Sequence, residues 1–332
     1  MKYRILGKTG FRVSEISLGT WQLGGKWGEK FNFDTAREIL NEAVDQGVNF
    51  IDTADVYNDG QSEEAIGKYL KTARERIYVA TKVGRRLNPH TTEGYNRENI
   101  TKFIDDSLKN LDLEAIDLVQ LHCPTTEVYY RPEVFGIMDE LVKKGKVLYY
   151  GVSVEKVEEA LKAIEYPNIT TVQIIYNMFR YKPAEEFFDQ AKSKNVGIIA
   201  RVPLASGMLT GKFYRDTVFS KQDHRYFNRE GQAFDKGETF SGVPYEVGLQ
   251  AVEELKKIFP EEKLARYALR WILMNDNVSC VIPGASRVSQ IKENIKASDF
   301  PPLTDGQMKG VEEIYQGYIK NMSMICGKKS FT

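Results

Sequence analysis

The sequence predicts an α/β fold in which eight parallel strands close into a barrel surrounded by helices. Three observations predict it. Short apolar runs rich in β-branched residues alternate with stretches of helical periodicity along the 332-residue chain. The apolar runs are too continuous for half-exposed antiparallel strands. Eight such strand–helix units are typical of a closed (β/α)8 TIM barrel rather than an open sheet.

The individual elements follow from this alternation. Strands are predicted at 16–21, 48–53, 77–83, 116–122, 147–153, 170–177, 196–202 and 278–282. Helices are predicted at 34–46, 62–71, 97–110, 132–144, 155–164, 183–194, 262–274 and 288–297. Asp34 and Asn96 are the expected helix N-caps, because their side chains can accept hydrogen bonds from free backbone N–H groups. Gly47, Gly145 and Gly197 occupy helix-to-strand turns, where a positive φ is expected.

Three segments lie outside the eight units. Residues 1–15 contain two short runs around Gly7–Gly10, which predicts a β-hairpin. Residues 205–244 are rich in Gly, Phe, Tyr and charge and lack a clear period, so we expect a functional loop that acts as a lid. Residues 304–320 predict an extra amphipathic helix at the C-terminus. Because no linker or low-complexity tract interrupts the chain, we expect one barrel domain over 1–332.

The composition excludes several classes of function. Lys and Arg number 46 and Asp and Glu number 46, and this zero net charge provides no attraction to nucleic acid or to an anionic membrane. No apolar run reaches the length of a membrane span, and the first residues lack the apolar stretch of a signal peptide. Cys123, Cys280 and Cys326 are an odd and sparse set that fits free thiols. We therefore expect a cytoplasmic protein.

A metal site at His122–Cys123 is not expected. Neighbouring strand residues point to opposite faces, and no other Cys or His lies at ligand spacing.

Three predicted strands end on ionisable side chains. These are Asp52, with Tyr57 in the loop that follows it, then Lys82, and then His122. Because strand C-termini converge on one face of a parallel barrel, the four side chains are expected to meet. Taken singly, each has an ordinary structural interpretation: a turn former, a packing residue, a solvated charge or a buried histidine. The coincidence of all four favours an acid–base site.

Carbonyl reduction gives each of these residue types a role. Tyr57 is the candidate general acid, although a free phenol has a pKa of about 10. The ammonium of Lys82 is expected to lower that pKa, and Asp52 to hold Lys82 in an ion pair. His122 is expected to donate a hydrogen bond to the substrate oxygen as charge develops there.

With these residues, the sequence closely resembles the aldo-keto reductase superfamily over nearly its whole length. Stretches similar to the family's motifs occur, in order and with matching spacing, at Tyr3–Gly10, Gly47–Tyr57, Ala80–Lys82, Leu118–His122, Gly151–Ser153 and Val281–Asn294. The resemblance implies the (β/α)8 barrel with its hairpin covering the floor. It also implies a catalytic tetrad of Asp52, Tyr57, Lys82 and His122, and NAD(P)H-dependent reduction of aldehydes or ketones.

The cofactor is not expected to bind through a Rossmann fingerprint, because none is present. Gly207–Lys212 is one residue short of a P-loop, and Phe213 stands where a Ser or Thr is required. The loops after the last two barrel strands often bind phosphate. By resemblance, the nicotinamide end is assigned to Gly19, Thr20, Asp52, Ser153 and Gln173. The pyrophosphate is assigned to Leu204, Ser206, Gly207, Leu209 and Lys212. The adenosine and its phosphate are assigned to Gly284, Ser286, Arg287, Gln290, Glu293 and Asn294.

Three positions depart from the family pattern. Arg201 replaces an aromatic residue that stacks on the nicotinamide in many members; a guanidinium can also stack on a flat ring, but it disfavours the cationic oxidised form. Val154 replaces an amide after the Gly-Val-Ser motif. Gly284 replaces the lysine that often contacts the 2′-phosphate. Arg287 can contact that phosphate instead, so the sequence predicts NADP(H) over NAD(H).

The substrate is expected to be a small carbonyl compound in a pocket formed by Trp21, Tyr57 and His122. Trp21 and Trp27 flank Gly24-Gly25 after the first barrel strand, and Trp21 is the expected wall. The sequence does not select among aldehydes, ketones, sugars and steroids, and it leaves the oligomeric state open. Two other functions remain open: a Schiff-base lyase with Lys82 as nucleophile, and a regulatory subunit that binds NADPH and senses its redox state.

Overall fold

Strands adjacent in sequence are also adjacent in the barrel of the computed structural model, which describes residues 1–25 and 28–320. Among these residues, a two-stranded hairpin is followed by eight parallel strands in chain order. The hairpin strands are β1 Tyr3–Ile5 and β2 Arg12–Ser14. The barrel strands are β3 Leu18–Gly19, β4 Phe50–Asp52, β5 Tyr78–Val83, β6 Ile116–His122, β7 Val147–Ser153, β8 Ile169–Ile175, β9 Gly197–Arg201 and β10 Val278–Val281.

The barrel closes where β3 meets β10. Parallel bridges join Ile16 to Val281 and Gly19 to Gly284. The backbone N–H of Gly19 donates to the carbonyl of Pro283 at 3.1 Å. The predicted eight-stranded barrel and its N-terminal hairpin are confirmed.

Helices follow the barrel strands on the outside. In the described chain they are α1 Phe33–Asp45, α2 Gln61–Leu70, α3 Arg97–Leu111, α4 Pro132–Lys143, α5 Val157–Ala163, α6 Lys182–Glu186, α7 Phe188–Ser193, α8 His224–Phe227, α9 Tyr245–Ile258, α10 Leu264–Leu273, α11 Val288–Ile295 and α12 Asp305–Ile314. The predicted helix at 183–194 is divided between α6 and α7. The predicted C-terminal helix is α12, which continues as one π-helical turn over Tyr315–Ile319.

Helix α9 was not expected from the sequence. Its fourteen residues bury Gly248, Ala251, Val252 and Leu255. Two of these four are Gly and Ala, so the buried face carries a weak apolar signal.

One predicted N-cap is confirmed and the other is wrong. The Asn96 side chain accepts a hydrogen bond from the Asn99 N–H at 3.0 Å and caps α3. Helix α1 is capped by Asn32, which accepts from the Thr35 N–H at 2.9 Å, and Asp34 lies inside the helix. Asn and Asp side chains can both cap a helix, and the backbone conformation places Asn32 rather than Asp34 at the cap position.

The expected positive φ occurs at Gly47 and Gly145 but not at Gly197. Asn195 takes the left-handed conformation instead, and Gly197 begins β9. A Cβ at Gly197 would lie 2.8 Å from Cδ1 of Leu6, so a glycine is needed there for the close approach of the hairpin.

The hairpin covers the N-terminal end of the barrel. Arg4 donates to the carbonyls of Leu273, Asn275 and Val278 at 2.6, 3.1 and 2.8 Å. Leu6 and Val13 pack into the barrel interior, against the buried residues Phe50, Ala80, Leu118, Ile199, Cys280 and Ile282. Because this end is filled with apolar side chains, a functional site must lie at the opposite end, where the strands end.

The segment 205–244 contains short helical turns and α8 rather than one unstructured loop. Phe213, Phe219, Phe240 and Tyr245 form an aromatic cluster with ring centroids 5.2 to 6.4 Å apart. No helix in the described part of the chain combines the length and apolarity needed to cross a membrane. Trp27 and Cys326 lie outside the described residues, whereas Cys123 and Cys280 are buried free thiols.

Candidate active site and cofactor cavity

The C-terminal ends of three adjacent strands carry the predicted catalytic residues. Asp52 is the last residue of β4, Lys82 is the next-to-last of β5, and His122 is the last of β6. Tyr57 begins a short helical turn in the loop after β4. Since β4, β5 and β6 are neighbours in the sheet, the structure brings all four residues to one face of the barrel.

The ammonium of Lys82 is buried and surrounded by oxygen atoms. Its Nζ lies 2.5 Å from Oδ1 of Asp52, 2.8 Å from the carbonyl oxygen of Thr53 and 3.3 Å from Oη of Tyr57. These three contacts match the three N–H donors of an ammonium group. The phenol is therefore linked directly to a buried ion pair.

The second oxygen of Asp52 is also bound. Oδ2 accepts hydrogen bonds from Nε2 of Gln173 at 2.7 Å and from Nε2 of Gln120 at 3.2 Å. The sequence analysis assigned Gln173 to the nicotinamide end, whereas in the structure its amide nitrogen donates a hydrogen bond to Asp52. Gln120 was missed, although an amide within the mostly apolar run Ile116–His122 is a signal that could have identified it.

Burial and charge determine the protonation of Lys82 and Tyr57. Burial lowers the pKa of Lys82, but Asp52 and Tyr57 together raise it above its usual value. Burial raises the pKa of Tyr57, Lys82 lowers it and Asp52 raises it, so that the pKa lies above its usual value. The sequence-based expectation of a lowered phenol pKa therefore differs from the structure, because burial could not be judged beforehand. Tyr57 remains protonated at neutral pH, which is the form that a general acid requires.

His122 is held as a neutral imidazole. Burial, followed by the positive charges of Arg85 and Lys82, lowers its pKa well below the usual value. Its ring centroid lies 6.1 Å from that of Tyr57. Within the described chain, Nδ1 has no hydrogen-bond partner. A neutral imidazole next to the phenol can donate one N–H to an oxygen placed between them.

A cavity of about 1280 Å³ extends from the phenol to α11. The three residues assigned to substrate all line it: Trp21, Tyr57 and His122. Most residues assigned to the cofactor also line it, namely Gly19, Thr20, Asp52, Ser153, Gln173, Arg201, Leu204, Ser206, Gly207, Lys212, Gly284, Arg287, Gln290, Glu293 and Asn294. Leu209 does not, because it is fully buried in the hydrophobic core. Ser286 is also absent from the lining and donates its N–H to Oε1 of Gln290 at 2.8 Å.

The far end of the cavity has the chemistry of a phosphate site. Arg287 precedes the first turn of α11 and is exposed. A helix N-terminus attracts anions, and a guanidinium can bind a phosphate with two hydrogen bonds. A Cβ at Gly284 would meet only the carbonyl oxygen of Gly19, at 3.8 Å, so space is open there. A cavity of this volume, lined by the acid–base residues and also by Arg287, fits a nicotinamide dinucleotide.

The wall near the phenol contains aromatic rings from two segments. The ring centroid of Trp21 lies 6.2 Å from that of Tyr57, 4.9 Å from that of His224 and 6.1 Å from that of Phe234. His224 and Phe234 belong to the segment 205–244, which thus contributes to the same pocket as Trp21.

A group of buried and partly buried charges near His122 was also missed. Arg85 donates to Glu238 at 2.6 Å and to Glu155 at 2.9 Å, and Arg201 pairs with Glu238 at 3.4 Å. One ligand atom each from Cys123, Glu155 and Glu238 lies within 4.8 Å of the other two, although Arg85 and Arg201 already neutralise these carboxylates. The partners are up to 153 residues apart, so no local pattern predicts the pairing.

A comparison with family models decides the relationship. The model described as the Aldo/keto reductase family matches residues 15–316. The chain belongs to this family. The resemblance seen in the sequence motifs is thereby confirmed, and the family accounts for the (β/α)8 barrel and for an oxidoreductase activity of the aldo-keto reductase type.

Similar proteins carry several descriptions. A probable voltage-gated potassium channel subunit beta from Arabidopsis thaliana is 33% identical, covering 95% of this chain and 97% of that protein. The L-glyceraldehyde 3-phosphate reductase of Escherichia coli K12 is 30% identical, covering 90% of this chain and 87% of that one. The holo form of aldo-keto reductase AKR11C1 from Bacillus halodurans superposes with a TM-score of 0.75 at 28% identity, over 95% of this aldo-keto reductase and 96% of that chain.

Proposed function

We propose that the protein is an NADPH-dependent aldo-keto reductase that converts aldehydes or ketones into alcohols. The observation that carries this proposal is the contact of buried Lys82 with Tyr57, next to neutral His122, in the lining of one large cavity. We place the enzyme in the cytoplasm, where its sparse cysteines suit a reducing environment. Family membership supports the reaction class.

The proposed chemistry divides between the cofactor and the protein. When bound, the cofactor supplies a hydride from C4 of its nicotinamide. His122 donates an N–H to the carbonyl oxygen of the substrate and orients it toward Tyr57. Tyr57 donates its proton to that oxygen as the alcohol forms. Lys82 stabilises the resulting phenolate, and Asp52 keeps Lys82 charged and in place.

NADP(H) is proposed over NAD(H) because of the cation at the far end of the cavity. Arg287 is exposed beside the N-terminus of α11, where the 2′-phosphate of NADPH would lie. NADH lacks this phosphate and would gain nothing from the guanidinium. Lys212 lines the same cavity and is proposed to bind the pyrophosphate.

We propose that residues 205–244 act as a lid over the bound cofactor. Ser206, Gly207 and Lys212 from this segment line the cavity, and so do Phe234 and Glu238. Ordering of a loop by a bound ligand would exclude water from the reacting groups.

Two other functions are less well supported. A Schiff-base lyase needs a neutral amine, but Asp52 and Tyr57 raise the pKa of Lys82 and keep it charged. A regulatory subunit that binds NADPH is favoured by the potassium channel relative, which covers nearly the whole chain. This second candidate predicts tight cofactor binding with very slow turnover.

The deciding experiment is oxidation of NADPH by the purified protein over a panel of aldehydes and ketones. The proposal expects steady turnover with at least one class of carbonyl, and its loss in Tyr57→Phe. Tight NADPH binding without turnover on any member of the panel would favour the regulatory candidate. Covalent trapping of a carbonyl on Lys82 by borohydride would favour the lyase.

A further inference from the structure

A largely buried cluster of charges joins the proposed lid to the barrel. The arginine–glutamate cluster consists of Arg85, Glu155, Arg201 and Glu238. Arg85 and Glu155 follow β5 and β7, and Arg201 is the last residue of β9. Glu238 is the member from the segment 205–244, and only 4% of it is exposed. Its carboxylate thus lies among residues at the C-terminal ends of the barrel strands.

Glu238 lies between the two arginines. Its Oε1 lies 2.6 Å from Nη2 of Arg85 and 3.4 Å from Nη1 of Arg201. Burial tends to raise the pKa of Glu238, but the two guanidinium groups lower it below its usual value, so the carboxylate stays ionised. One ionised carboxylate therefore offsets positive charge from buried Arg201 and from partly buried Arg85.

Arg201 is also held from its other side. Its Nη2 donates to the carbonyl oxygen of Val154 at 3.0 Å, and Val154 directly follows Ser153. Glu238 and Val154 together fix the guanidinium at the end of β9, where it lines the same cavity as Tyr57 and His122. Its charge reaches the reacting groups, because it is among the causes of the lowered pKa of His122.

The position of Arg201 matters because the charge of the nicotinamide ring changes between the oxidised and the reduced cofactor. The ring is cationic when oxidised and neutral when reduced, and it must lie beside the carbonyl held by Tyr57 and His122. An uncompensated guanidinium on the cavity wall would therefore repel the oxidised ring and leave the reduced ring almost unaffected. A carboxylate that neutralises Arg201 removes this bias.

We propose that Glu238 is a positioning residue that sets the relative affinity for oxidised and reduced cofactor by neutralising and orienting Arg201. This inference rests on the proposed function, since it requires a nicotinamide cofactor in the cavity. It goes further by assigning control of the redox preference to a residue of the lid. Substitution of Glu238 would leave Arg85 and Arg201 with Glu155 as the remaining carboxylate of the cluster.

The test measures two dissociation constants for each variant, one for NADPH and one for NADP⁺, by fluorescence titration without substrate. The measurements are made at a pH above about 7, the value to which burial and the nearby Asp235 and Glu238 carboxylates raise the pKa of Glu155. Glu238→Gln is expected to weaken NADP⁺ relative to NADPH about tenfold, the equivalent of about 1.4 kcal/mol. Glu230→Gln is the matched control, because Glu230 pairs with Lys236 in the same segment but is 68% exposed. Its affinity ratio should equal that of the parent.

Two further variants separate charge from structure. Arg201→Gln should shift the affinity ratio toward NADP⁺, and Arg201→Gln combined with Glu238→Gln should return it close to the parent value. If Glu238→Gln weakens both cofactors equally, Glu238 only holds the lid and the proposal is wrong. A double variant that keeps the full tenfold shift of Glu238→Gln would also overturn it, because Glu238 would then act without Arg201. If the parent binds neither cofactor, the proposed function itself fails, which is a distinct result.

Discussion

The Nζ atom of Lys82 lies 3.3 Å from the Oη atom of Tyr57. The contact has opposite consequences before and after proton transfer. While the phenol is neutral, burial keeps its pKa high and the proton stays on Tyr57. Once the proton leaves, the phenolate gains a charge-assisted hydrogen bond from a buried ammonium. We therefore expect the site to stabilise charge mainly as the charge develops, which is the requirement for catalysis.

The role of Tyr57 is tested by Tyr57→Phe, which removes only the hydroxyl. We expect kcat to fall by about 10²–10⁴, because general acid catalysis contributes that much. The dissociation constant for NADPH should not change. Tyr130→Phe is the matched control, since Tyr130 is 64% exposed and its loss should leave kcat unaltered. Retention of more than about a tenth of kcat in Tyr57→Phe would contradict the assigned acid.

The ion pair of Asp52 and Lys82 is expected to matter for stability as well as for activity. Asp52→Asn leaves a buried ammonium without its counter-charge, so the free energy of unfolding should fall by about 3–5 kcal/mol. Urea denaturation measures this change. Asp34→Asn is the control, because Asp34 pairs with Arg37 on the surface and should cost less than about 1 kcal/mol. Equal losses in the two variants would show that burial of the pair has no special effect.

Asp55 should make the protein less stable at alkaline pH. Burial and the neighbouring Glu63 carboxylate raise its pKa to about 8. The folded state therefore holds a proton that the unfolded state releases at a pH of about 4. As the pH rises between these two values, the unfolded state binds fewer protons than the folded state and stability decreases.

Asp55→Asn cannot ionise and should remove this part of the decrease. Above pH ~8, we expect the variant to be more stable than the parent in urea denaturation. Asp59→Asn is the control, because Asp59 is exposed on the same loop and its substitution should leave the pH profile unchanged. Parallel stability profiles for Asp55→Asn and the parent would refute the assignment.

Arg287 should control the choice of cofactor. Arg287→Ala removes the guanidinium proposed to bind the 2′-phosphate, so the KM for NADPH should rise about tenfold or more. The KM for NADH should not change, because NADH has no phosphate at that position. Lys292→Ala serves as control, since Lys292 lies on α11 but pairs with Glu42 on the surface. Equal KM values for NADPH and NADH in the parent would end the proposed preference.

The lid is tested by hydrogen exchange over residues 205–244 with and without NADPH. We expect slower exchange in this segment when the cofactor is bound, because its turns would then be held between ligand and barrel. The N-terminal hairpin, at the opposite end of the barrel, should exchange at the same rate in both states. Unchanged exchange throughout 205–244 would show that the segment does not respond to the cofactor.

Much of the barrel was predictable because each parallel strand is buried on both faces. Such strands appear in the sequence as continuous apolar runs, and these match β5, β6 and β7 within a residue at each end. That the four side chains converge could be predicted for a related reason. Asp52, Lys82 and His122 interrupt those runs where the strands end, which is where a barrel collects its functional groups.

What could not be predicted depends on contacts between distant segments. The partners of Asp52 include Gln120 and Gln173, which in the sequence are merely polar residues within strands. The pairing of Glu238 with Arg85 joins residues 153 positions apart, with no periodic pattern between them. The direction of the Tyr57 pKa shift follows from burial, which is a property of the folded molecule. Local patterns contain none of this information.

Leu6 and Val13 fill the N-terminal end of the barrel interior with apolar side chains. The cavity lined by Asp52 and Tyr57 lies at the other end of the strands. We therefore expect both cofactor and substrate to enter from that end, so that a substrate bound over the cofactor must leave before the cofactor can. Product-inhibition kinetics would test this order of release.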